Sequence, residues 1–459
     1  MRADTTNSAS HKKFIQKCIE RDCQSTFDLD ERIYVCPRCA GLLDIESSGP
    51  LRIEPATLKQ QWHQRLSSRL PQDRSGVWRF REVLPLQENA ELVTLTEGNT
   101  PLYTAQRSAD YCRLDSLLLK HQGLNPTGSF KDTGMTVAVT QAKSLRSTTA
   151  VCASTGNTAA SLAAYAARAN LPCAILVPAD QVSHAKLAQA LDYGARVLEL
   201  EGNFDACMQL VLEIAKEEPI YLVNSINPFR IEGQKTVAVE LAEQLDWQIP
   251  DHLVVPGGNL GNSSAFGKGF RELLALGLID RLPRITVVQA EGAAPFARFF
   301  AEQSSGDSES GAFANEEEPH TLASAIKIGA PVSWKKAWRA VSESRGQVIT
   351  VSEQEIADAK AIIGRDGIGC EPASATTVAG IKKLVASGFI KSDHSVVAVL
   401  TGHVLKDTDY VIGYHNQSLR TERDEQINAR FGNKPVRVES SRQSLKDALD
   451  RVRHESGSV

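Results

Sequence analysis

The chain has 459 residues, of which 42% are hydrophobic and 23% are charged, and its formal net charge at pH 7 is −4. This length has room for more than one domain, and the composition is typical of a soluble globular protein. The small net charge gives no general attraction to nucleic acid, and no apolar run approaches the length of a membrane-spanning helix. We therefore expect neither a nucleic-acid partner nor a membrane partner.

Cysteine usage indicates the compartment. The chain has nine cysteines, an odd number that does not suit a disulfide framework. Four lie in the first 39 residues, and the others are scattered along the chain: Cys112, Cys152, Cys173, Cys207 and Cys370. The polar start of the chain shows no secretory signal. This pattern favours reduced thiols in a cytoplasmic protein.

The first predicted element is a small cysteine module at residues 1–48. It contains two cysteine pairs, Cys18 with Cys23 and Cys36 with Cys39. The second pair has the spacing of a zinc knuckle, in which two thiolates on a tight turn face one ion, whereas the first pair is spaced more widely. Two alternatives stay open: a structural zinc site made of all four cysteines, or a small β-module with metal-free buried thiols.

A lead segment at 49–111 is followed by a long region, 112–415, in which short apolar runs alternate with amphipathic segments of helical length. This alternation is typical of parallel α/β sheets. It predicts strands at 116–120, 149–153, 173–177, 196–200, 220–223, 252–256, 284–289 and 396–400. It predicts helices at 132–144, 158–168, 183–193, 204–216, 233–245, 262–275, 353–363 and 373–386. We further predict a surface loop at 304–318 and a charged tail at 416–459 with one helix near 444–454.

The stretch Asn125-Pro-Thr-Gly-Ser-Phe-Lys131 joins a predicted strand to a predicted helix. Pro126 and Gly128 indicate a tight turn, which places Lys131 in the first helical turn. Burial and the positive end of a helix both lower the pKa of a lysine, and Schiff-base chemistry requires a neutral amine. Taken alone, Lys131 is equally an ordinary lysine after a turn, so its interpretation depends on the rest of the chain.

Three more turns follow predicted strands, where ligands bind in parallel sheets. Ser154-Thr-Gly-Asn157 can bind a carboxylate at a helix N-terminus, and Gly257-Gly-Asn-Leu-Gly-Asn262 can bind a phosphate through main-chain N–H groups. Thr401 can offer a hydroxyl at the end of the last predicted strand. Each stretch alone is also explained as a plain turn. Together with Lys131, however, they supply the groups that pyridoxal 5′-phosphate requires.

These motifs resemble the fold-type II pyridoxal-phosphate enzymes, and among them the threonine synthase family. Four further stretches carry the resemblance: Thr96-Glu-Gly-Asn-Thr-Pro101, 224–236, 321–329 and Glu371-Pro-Ala-Ser-Ala375. The likeness implies an α/β fold of the tryptophan synthase β type. It has two open parallel-sheet subdomains, the smaller at about 148–232, and a zinc-ribbon-like N-terminal module.

The resemblance also implies cofactor contacts. Lys131 would form the Schiff base and move protons, and Phe130 would flank the cofactor. Asn157 would bond the cofactor's phenolic oxygen. Thr401 would face the pyridine nitrogen, and a hydroxyl is not expected to enforce protonation of that nitrogen. The implied cofactor-phosphate residues are Gly258, Asn259, Leu260, Gly261 and Asn262.

The implied substrate is O-phospho-L-homoserine, converted with water to L-threonine and phosphate by γ-elimination and β-addition in a monomer or homodimer. Ser154, Thr155 and Gly156 would bind its carboxylate, and Asn224, Ser225 and Arg230 its phosphate. Three alternatives remain. A cysteate synthase would use phosphoserine with sulfite, and the sequence does not exclude it. The 224–230 phosphate set argues against a serine/threonine dehydratase. The intact Lys131 and glycine loop argue against a non-catalytic binding protein.

Overall fold

The computed structural model describes residues 14–49, 53–87, 89–179, 184–201, 204–305 and 313–455. This part of the chain contains three β-sheets, two of them parallel and flanked by helices. The described helices include none with both the length and the apolar character needed to cross a membrane.

The larger parallel sheet has six strands in the order β12-β11-β10-β13-β5-β4, and only β4 runs antiparallel. Its strands are β4 (Leu102–Thr104), β5 (Leu118–His121), β10 (His252–Pro256), β11 (Arg284–Ala290), β12 (Val348–Val351) and β13 (Val396–Leu400). Every residue of β10 and β13 is buried. Their valine-rich runs suit this position because central strands of a covered parallel sheet are buried on both faces.

The smaller sheet has four parallel strands in the order β8-β7-β6-β9. They are β6 (Thr149–Ala153), β7 (Cys173–Pro178), β8 (Arg196–Leu200) and β9 (Ile220–Leu222). Along the chain this sheet is inserted between β5 and β10 of the larger sheet. The structure therefore has the two parallel-sheet units that the sequence predicts.

Fifteen α-helices lie in the described part of the chain. The first eight are α1 (Pro55–Arg65), α2 (Pro71–Arg74), α3 (Gln106–Cys112), α4 (Lys131–Ser144), α5 (Asn157–Arg168), α6 (His184–Asp192), α7 (Phe204–Glu217) and α8 (Pro228–Gln244). The others are α9 (Gly261–Ala275), α10 (Pro295–Ser305), α11 (Trp334–Glu343), α12 (Glu353–Arg365), α13 (Pro372–Ala386), α14 (Thr408–His415) and α15 (Arg442–Glu455).

Helices α4 and α8 cross at two glycines. A β-carbon on Gly233 would lie 1.8 Å from the carbonyl oxygen of Thr133, and one on Gly134 would lie 2.7 Å from the carbonyl oxygen of Arg230. Any side chain at either position would push the helices apart. This close approach brings the first turn of α8, with Arg230, next to the first turn of α4, with Lys131.

The N-terminal module is an antiparallel sheet of β1 (Phe14–Cys18), β2 (Thr26–Phe27) and β3 (Leu43–Ser47). It contacts both parallel-sheet units. On the smaller unit, the Tyr34 hydroxyl accepts a hydrogen bond from the N–H of Leu222 at 2.7 Å. On the larger unit, Lys268 of α9 donates to Asp44 at 2.8 Å and Lys336 of α11 donates to the carbonyl of Leu43 at 2.6 Å. The module therefore bridges the two units.

Candidate active site

Lys131 is the first residue of α4, and its Nζ lies 4.2 Å from the centre of the Phe130 ring. Within the described ranges, Nζ has no hydrogen-bond or ion-pair partner. Burial lowers the pKa of this amine to about 7, and the positive charge of Arg230 acts in the same direction, while Glu371 opposes both. A large fraction of the amine is therefore neutral near pH 7, which is the state that attacks an aldehyde.

The turn that carries Lys131 is paired with the end of β13. The N–H of Phe130 donates to the carbonyl of Thr401 at 2.9 Å, and the N–H of His403 donates to the carbonyl of Gly128 at 2.9 Å. Main-chain hydrogen bonds thus bring Lys131 and Thr401, which are far apart in the sequence, to the same place.

The glycine-rich loop lies between β10 and α9. Helix α9 begins at Gly261, and the residue before it, Leu260, has a φ of 64° and no side-chain cap, so main-chain N–H groups at this helix end are free for an anion. Both amide atoms of Asn262 are buried without a partner among the described residues. An ideal β-carbon on Gly258 would lie 3.0 Å from Cα of Ile326, which makes a narrow cradle. These features fit a bound phosphate group.

Asn259 connects this loop to one of the residues predicted for the substrate. Its amide donates to the hydroxyl of Ser225 at 3.0 Å and accepts from the N–H of Val332 at 2.7 Å. The structure therefore brings Ser225 to the glycine-rich loop.

A second turn with an uncapped helix start precedes α5. This helix begins at Asn157, and the residue before it, Gly156, provides no side-chain cap. The Ser154 hydroxyl accepts a hydrogen bond from the N–H of Gly156 at 3.2 Å, and Ser154 and Thr155 are half-buried. The N–H groups at this helix end suit a carboxylate.

Arg230 is a buried cation without a carboxylate partner among the described residues. Its side chain is 3% exposed, its Nη1 donates to the carbonyl of Val223 at 3.3 Å, and its Nε has no partner there. Burial lowers the pKa of the guanidinium to about 10, so it stays charged at neutral pH. A buried charge of this kind requires an anion.

Asn224, predicted beside Arg230 for the substrate phosphate, is engaged with the main chain. Its amide accepts from the N–H of Ala153 at 3.0 Å and donates to the carbonyl of Ala153 at 2.9 Å. In this arrangement Asn224 fixes the end of β6, just before the turn of Ser154, Thr155 and Gly156.

Glu371 is a site residue whose role does not follow from the sequence motifs. Its carboxylate is 1% exposed and accepts hydrogen bonds from the Asn157 amide at 3.0 Å and from the Thr401 hydroxyl at 2.9 Å. Burial raises its pKa. The motif 371–375 was visible in the sequence, but a glutamate before the proline of a helix start reads as an ordinary helix-capping residue.

The four N-terminal cysteines form one cluster, although the first pair has a wide spacing. Their sulfur atoms all lie within 4.8 Å of one another, with 3.4 Å between Cys18 and Cys39 and 3.6 Å between Cys23 and Cys36. Four thiolates bound to one Zn²⁺ at about 2.3 Å would have sulfur atoms about 3.8 Å apart. The cluster therefore fits a structural zinc ion, and four thiolates are the ligand set that such sites use.

Residues 93–402 match the family model described as pyridoxal-phosphate dependent enzyme. The chain therefore belongs to the pyridoxal-phosphate-dependent enzyme family. The reactive lysine, the phosphate cradle and the buried polar groups described above fit that cofactor.

Within this family, the chain groups with the threonine synthases. It is 44% identical to the threonine synthase of Methanocaldococcus jannaschii, over 89% of this chain and 97% of that one. It is 46% identical to the threonine synthase of Methanosarcina acetivorans, over 86% of this chain and 93% of that one. It is 39% identical to threonine synthase 2, chloroplastic, of Arabidopsis thaliana, over 92% and 82%. These relatives confirm the resemblance predicted from the motifs.

Solved structures confirm the fold. The processed form of threonine deaminase isoform 2 from Solanum lycopersicum matches with a TM-score of 0.57 and 19% identity, over 72% of this chain and 94% of that one. Serine racemase from Dictyostelium discoideum matches with a TM-score of 0.54 and 24% identity, over 67% of this chain and 92% of that one. At these identities the similarity concerns the fold, which is the predicted fold-type II architecture.

Proposed function

We propose that the protein is a threonine synthase that converts O-phospho-L-homoserine and water to L-threonine and phosphate. The observation that carries this proposal is the position of Arg230, a buried and unpaired cation beside the amine of Lys131. A substrate that carries both an amino acid group and a phosphate supplies the anion that Arg230 lacks. The planar guanidinium can bind that phosphate with two parallel hydrogen bonds.

In this proposal, one anion site binds the carboxylate of the substrate and a second anion site binds its phosphate. The turn of Ser154, Thr155 and Gly156 binds the α-carboxylate at the start of α5, and Arg230 with Ser225 binds the phosphate. Asn224 positions the carboxylate turn through Ala153.

The cofactor sites are proposed on the same basis. Lys131 would hold the cofactor through its amine, and Phe130 would flank the ring. Asn157 would bond the phenolic oxygen, and Thr401 would face the pyridine nitrogen. The cofactor phosphate is bound by the glycine-rich loop: Gly258, Asn259, Leu260, Gly261 and Asn262.

Pyridoxal phosphate, when bound, supplies an aldehyde for the substrate amine and a conjugated ring that takes up the electrons left by proton loss. The protein supplies the acid–base groups. The Lys131 amine has a pKa of about 7, so it can take the α-proton and then a β-proton and can also return them. Arg230 stabilises the phosphate as it leaves the γ-carbon, and water then adds at the β-carbon.

We further propose that Cys18, Cys23, Cys36 and Cys39 bind one structural zinc ion. We also propose that the protein works in the cytoplasm as a monomer or homodimer. The described cysteines form no disulfide with one another, which suits a reducing compartment.

The test is a parallel assay of the purified, cofactor-loaded protein on three substrates: O-phospho-L-homoserine, O-phospho-L-serine with sulfite, and L-threonine. We expect equal amounts of phosphate and threonine from the first substrate, and no such turnover in the Lys131→Ala variant. Turnover of phosphoserine with sulfite alone would move the function to cysteate synthesis. Deamination of L-threonine alone would indicate a dehydratase.

A further inference from the structure

A side chain of the N-terminal module covers the edge of the smaller sheet at β9. The N–H of Val223 donates to the carbonyl of Val151 in β6 at 2.8 Å, so the N–H of Leu222, one residue earlier, faces away from the sheet. It donates to the hydroxyl of Tyr34 at 2.7 Å, and that hydroxyl lies 3.5 Å from the carbonyl oxygen of Ile220. Tyr34 is buried and thus takes the place of a neighbouring strand at this edge.

The residues after β9 form the segment proposed to bind the substrate phosphate. The carbonyl of Leu222 accepts from the amide of Asn227 at 2.8 Å, and Asn227 caps α8 by accepting from the N–H of Phe229 at 3.0 Å. Arg230 lies in the first turn of that helix and donates to the carbonyl of Val223 at 3.3 Å. Leu222 and Val223 are therefore the main-chain supports of Arg230.

The module that carries Tyr34 is anchored to other parts of the protein. It is held to α9 and α11 through Asp44 and Leu43. It is also held to α4, the helix that carries the reactive lysine, by a hydrogen bond of 2.6 Å from the Gln141 amide to the carbonyl of Leu29. Because none of these contacts involves the smaller sheet, the position of Tyr34 is set independently of β9.

We propose that the N-terminal module controls the affinity of the substrate-phosphate site, with Tyr34 as the positioning residue that holds β9 and thereby Arg230. This inference rests on the proposed function, which places the substrate phosphate at Arg230. Tyr34 does not touch the substrate. Its hydroxyl fixes Leu222, Leu222 fixes the cap of α8, and the start of α8 sets the position of the guanidinium. The module then has a role in substrate binding as well as in stability.

The variant Tyr34→Phe removes only the hydroxyl. It keeps the buried ring, which packs edge-on against Tyr221 with 5.8 Å between ring centres, while the N–H of Leu222 loses its acceptor. The matched control is Tyr410→Phe. Tyr410 is similarly buried, and its hydroxyl has no hydrogen-bond partner among the described residues. The control therefore removes a buried hydroxyl without removing a hydrogen bond to the protein.

The first measurement is hydrogen–deuterium exchange of the cofactor-loaded protein, read by mass spectrometry of residues 220–231 with fragmentation to single residues. We expect a protected Leu222 amide in the wild-type protein and in Tyr410→Phe. In Tyr34→Phe this amide should exchange roughly 3–10-fold faster, because it has lost one hydrogen bond. Unchanged exchange in Tyr34→Phe would overturn the proposal. An unprotected Leu222 amide in the wild-type protein would overturn it even if the variants failed to fold.

The second measurement is the affinity of the same proteins for inorganic phosphate, by titration calorimetry. The Kd should rise roughly 3–10-fold in Tyr34→Phe and keep its wild-type value in Tyr410→Phe. KM for O-phospho-L-homoserine should rise with it while kcat stays close to the wild-type value, as expected when only binding is weakened. A hydroxyl that serves stability alone would lower the unfolding temperature of Tyr34→Phe and leave Kd and KM unchanged, which would overturn the proposal.

These readouts separate the inference from the proposed function. If O-phospho-L-homoserine is not converted, although Tyr34→Phe shows the expected exchange and phosphate affinity, the proposed function fails and the role of Tyr34 stands. If the substrate is converted and Arg230→Ala raises KM while Tyr34→Phe does not, the inference fails and the function stands.

Discussion

The basic side chains of Lys131 and Arg230 are placed next to each other by the crossing of α4 and α8. Burial, and after it the charge of Arg230, lowers the pKa of the Lys131 amine to about 7. The same geometry leaves Arg230 without a carboxylate partner among the described residues. One arrangement therefore gives a neutral amine for covalent chemistry and an anion site beside it.

The first prediction concerns the reactivity of Lys131. In cofactor-free protein, about half of its amine is neutral at pH 7 and nearly all at pH 9, whereas an ordinary lysine is neutral to well under about 0.1% at pH 7. Competitive acetylation followed by mass spectrometry should show Lys131 reacting half-maximally near pH 7. Surface lysines in the same sample serve as the reference. A Lys131 profile that rises only above pH 9 would contradict the lowered pKa.

The second prediction concerns Arg230. The Arg230→Ala variant loses charge-assisted hydrogen bonds to the substrate phosphate, each worth about 1.5–3 kcal/mol, so KM for O-phospho-L-homoserine should rise roughly 10–100-fold. Inhibition by inorganic phosphate should weaken in parallel. Arg230→Lys keeps the positive charge but lacks the planar guanidinium. Its KM should therefore lie between those of the wild-type protein and Arg230→Ala. An unchanged KM in Arg230→Ala, with cofactor still bound, would show that the phosphate binds elsewhere.

The third prediction concerns the cysteine cluster. We expect one zinc ion per chain in the purified protein and its loss in Cys36→Ser, together with a lower unfolding temperature, because structural zinc contributes directly to folding. Cys112→Ser is the control, since Cys112 is equally buried but lies outside the cluster. Metal analysis decides the matter: a zinc-free wild-type protein, or full zinc in Cys36→Ser, would exclude the site.

The fourth prediction concerns the docking of the N-terminal module. Burial alone would raise the pKa of Asp44, but the ammonium groups of Lys268 and then Lys336 outweigh it and hold that pKa well below its usual range. A carboxylate with a depressed folded-state pKa stabilises the fold fully above its unfolded-state pKa of about 3.9, and the stabilisation is lost as the pH falls below that value.

Asp44→Asn should therefore lower the free energy of unfolding by about 3 kcal/mol at pH 7, with a smaller difference at pH 3. Denaturant unfolding from pH 7 to pH 3 measures this difference. Glu46→Gln on the same strand is the control, because its ion pair with Lys17 is partly exposed to solvent and should contribute less than about 1 kcal/mol. A difference for Asp44→Asn that does not change with pH would rule out the charge as its cause.

Much of the fold was predictable because the central strands are continuous apolar runs. The central strands at 149–153, 252–256 and 396–400 have the bounds expected from the sequence, and so does the more exposed edge strand at 196–200. Two strands of the larger sheet were missed. Both β12 and β4 lie at sheet edges and are only four and three residues long, so neither has a long apolar run to mark it.

The region around the predicted surface loop at 304–318 also differs from expectation. Residues 306–312 of that loop lie outside the described residues, but Phe313 stacks on Trp334 with 4.7 Å between ring centres and also contacts Phe299. Phe299 lies in α10 and Trp334 in α11, and neither helix was predicted. The apolar faces of these two helices consist largely of aromatic residues, whose contacts with one another form only in the folded protein.

The parts of the candidate site that were predictable are the motifs that can be recognised from a short stretch of sequence. Lys131, the glycine-rich loop and the Ser154 turn each combine a turn with a helix start, which can be read from neighbouring residues. Glu371 could not be assigned in this way. Its partner Thr401 is 30 residues away, and a single bridge between Cys370 and His403 aligns the two segments.

The most direct test of the central claim follows the oxygen atoms. The cofactor-loaded protein converts O-phospho-L-homoserine in water enriched in ¹⁸O, and mass spectrometry then locates the label in the products. We predict one ¹⁸O atom in the hydroxyl group of threonine and none in the released phosphate, because the bond between the γ-carbon and oxygen breaks and water adds at the β-carbon. Homoserine with ¹⁸O in the phosphate would show hydrolysis at phosphorus and would contradict the account.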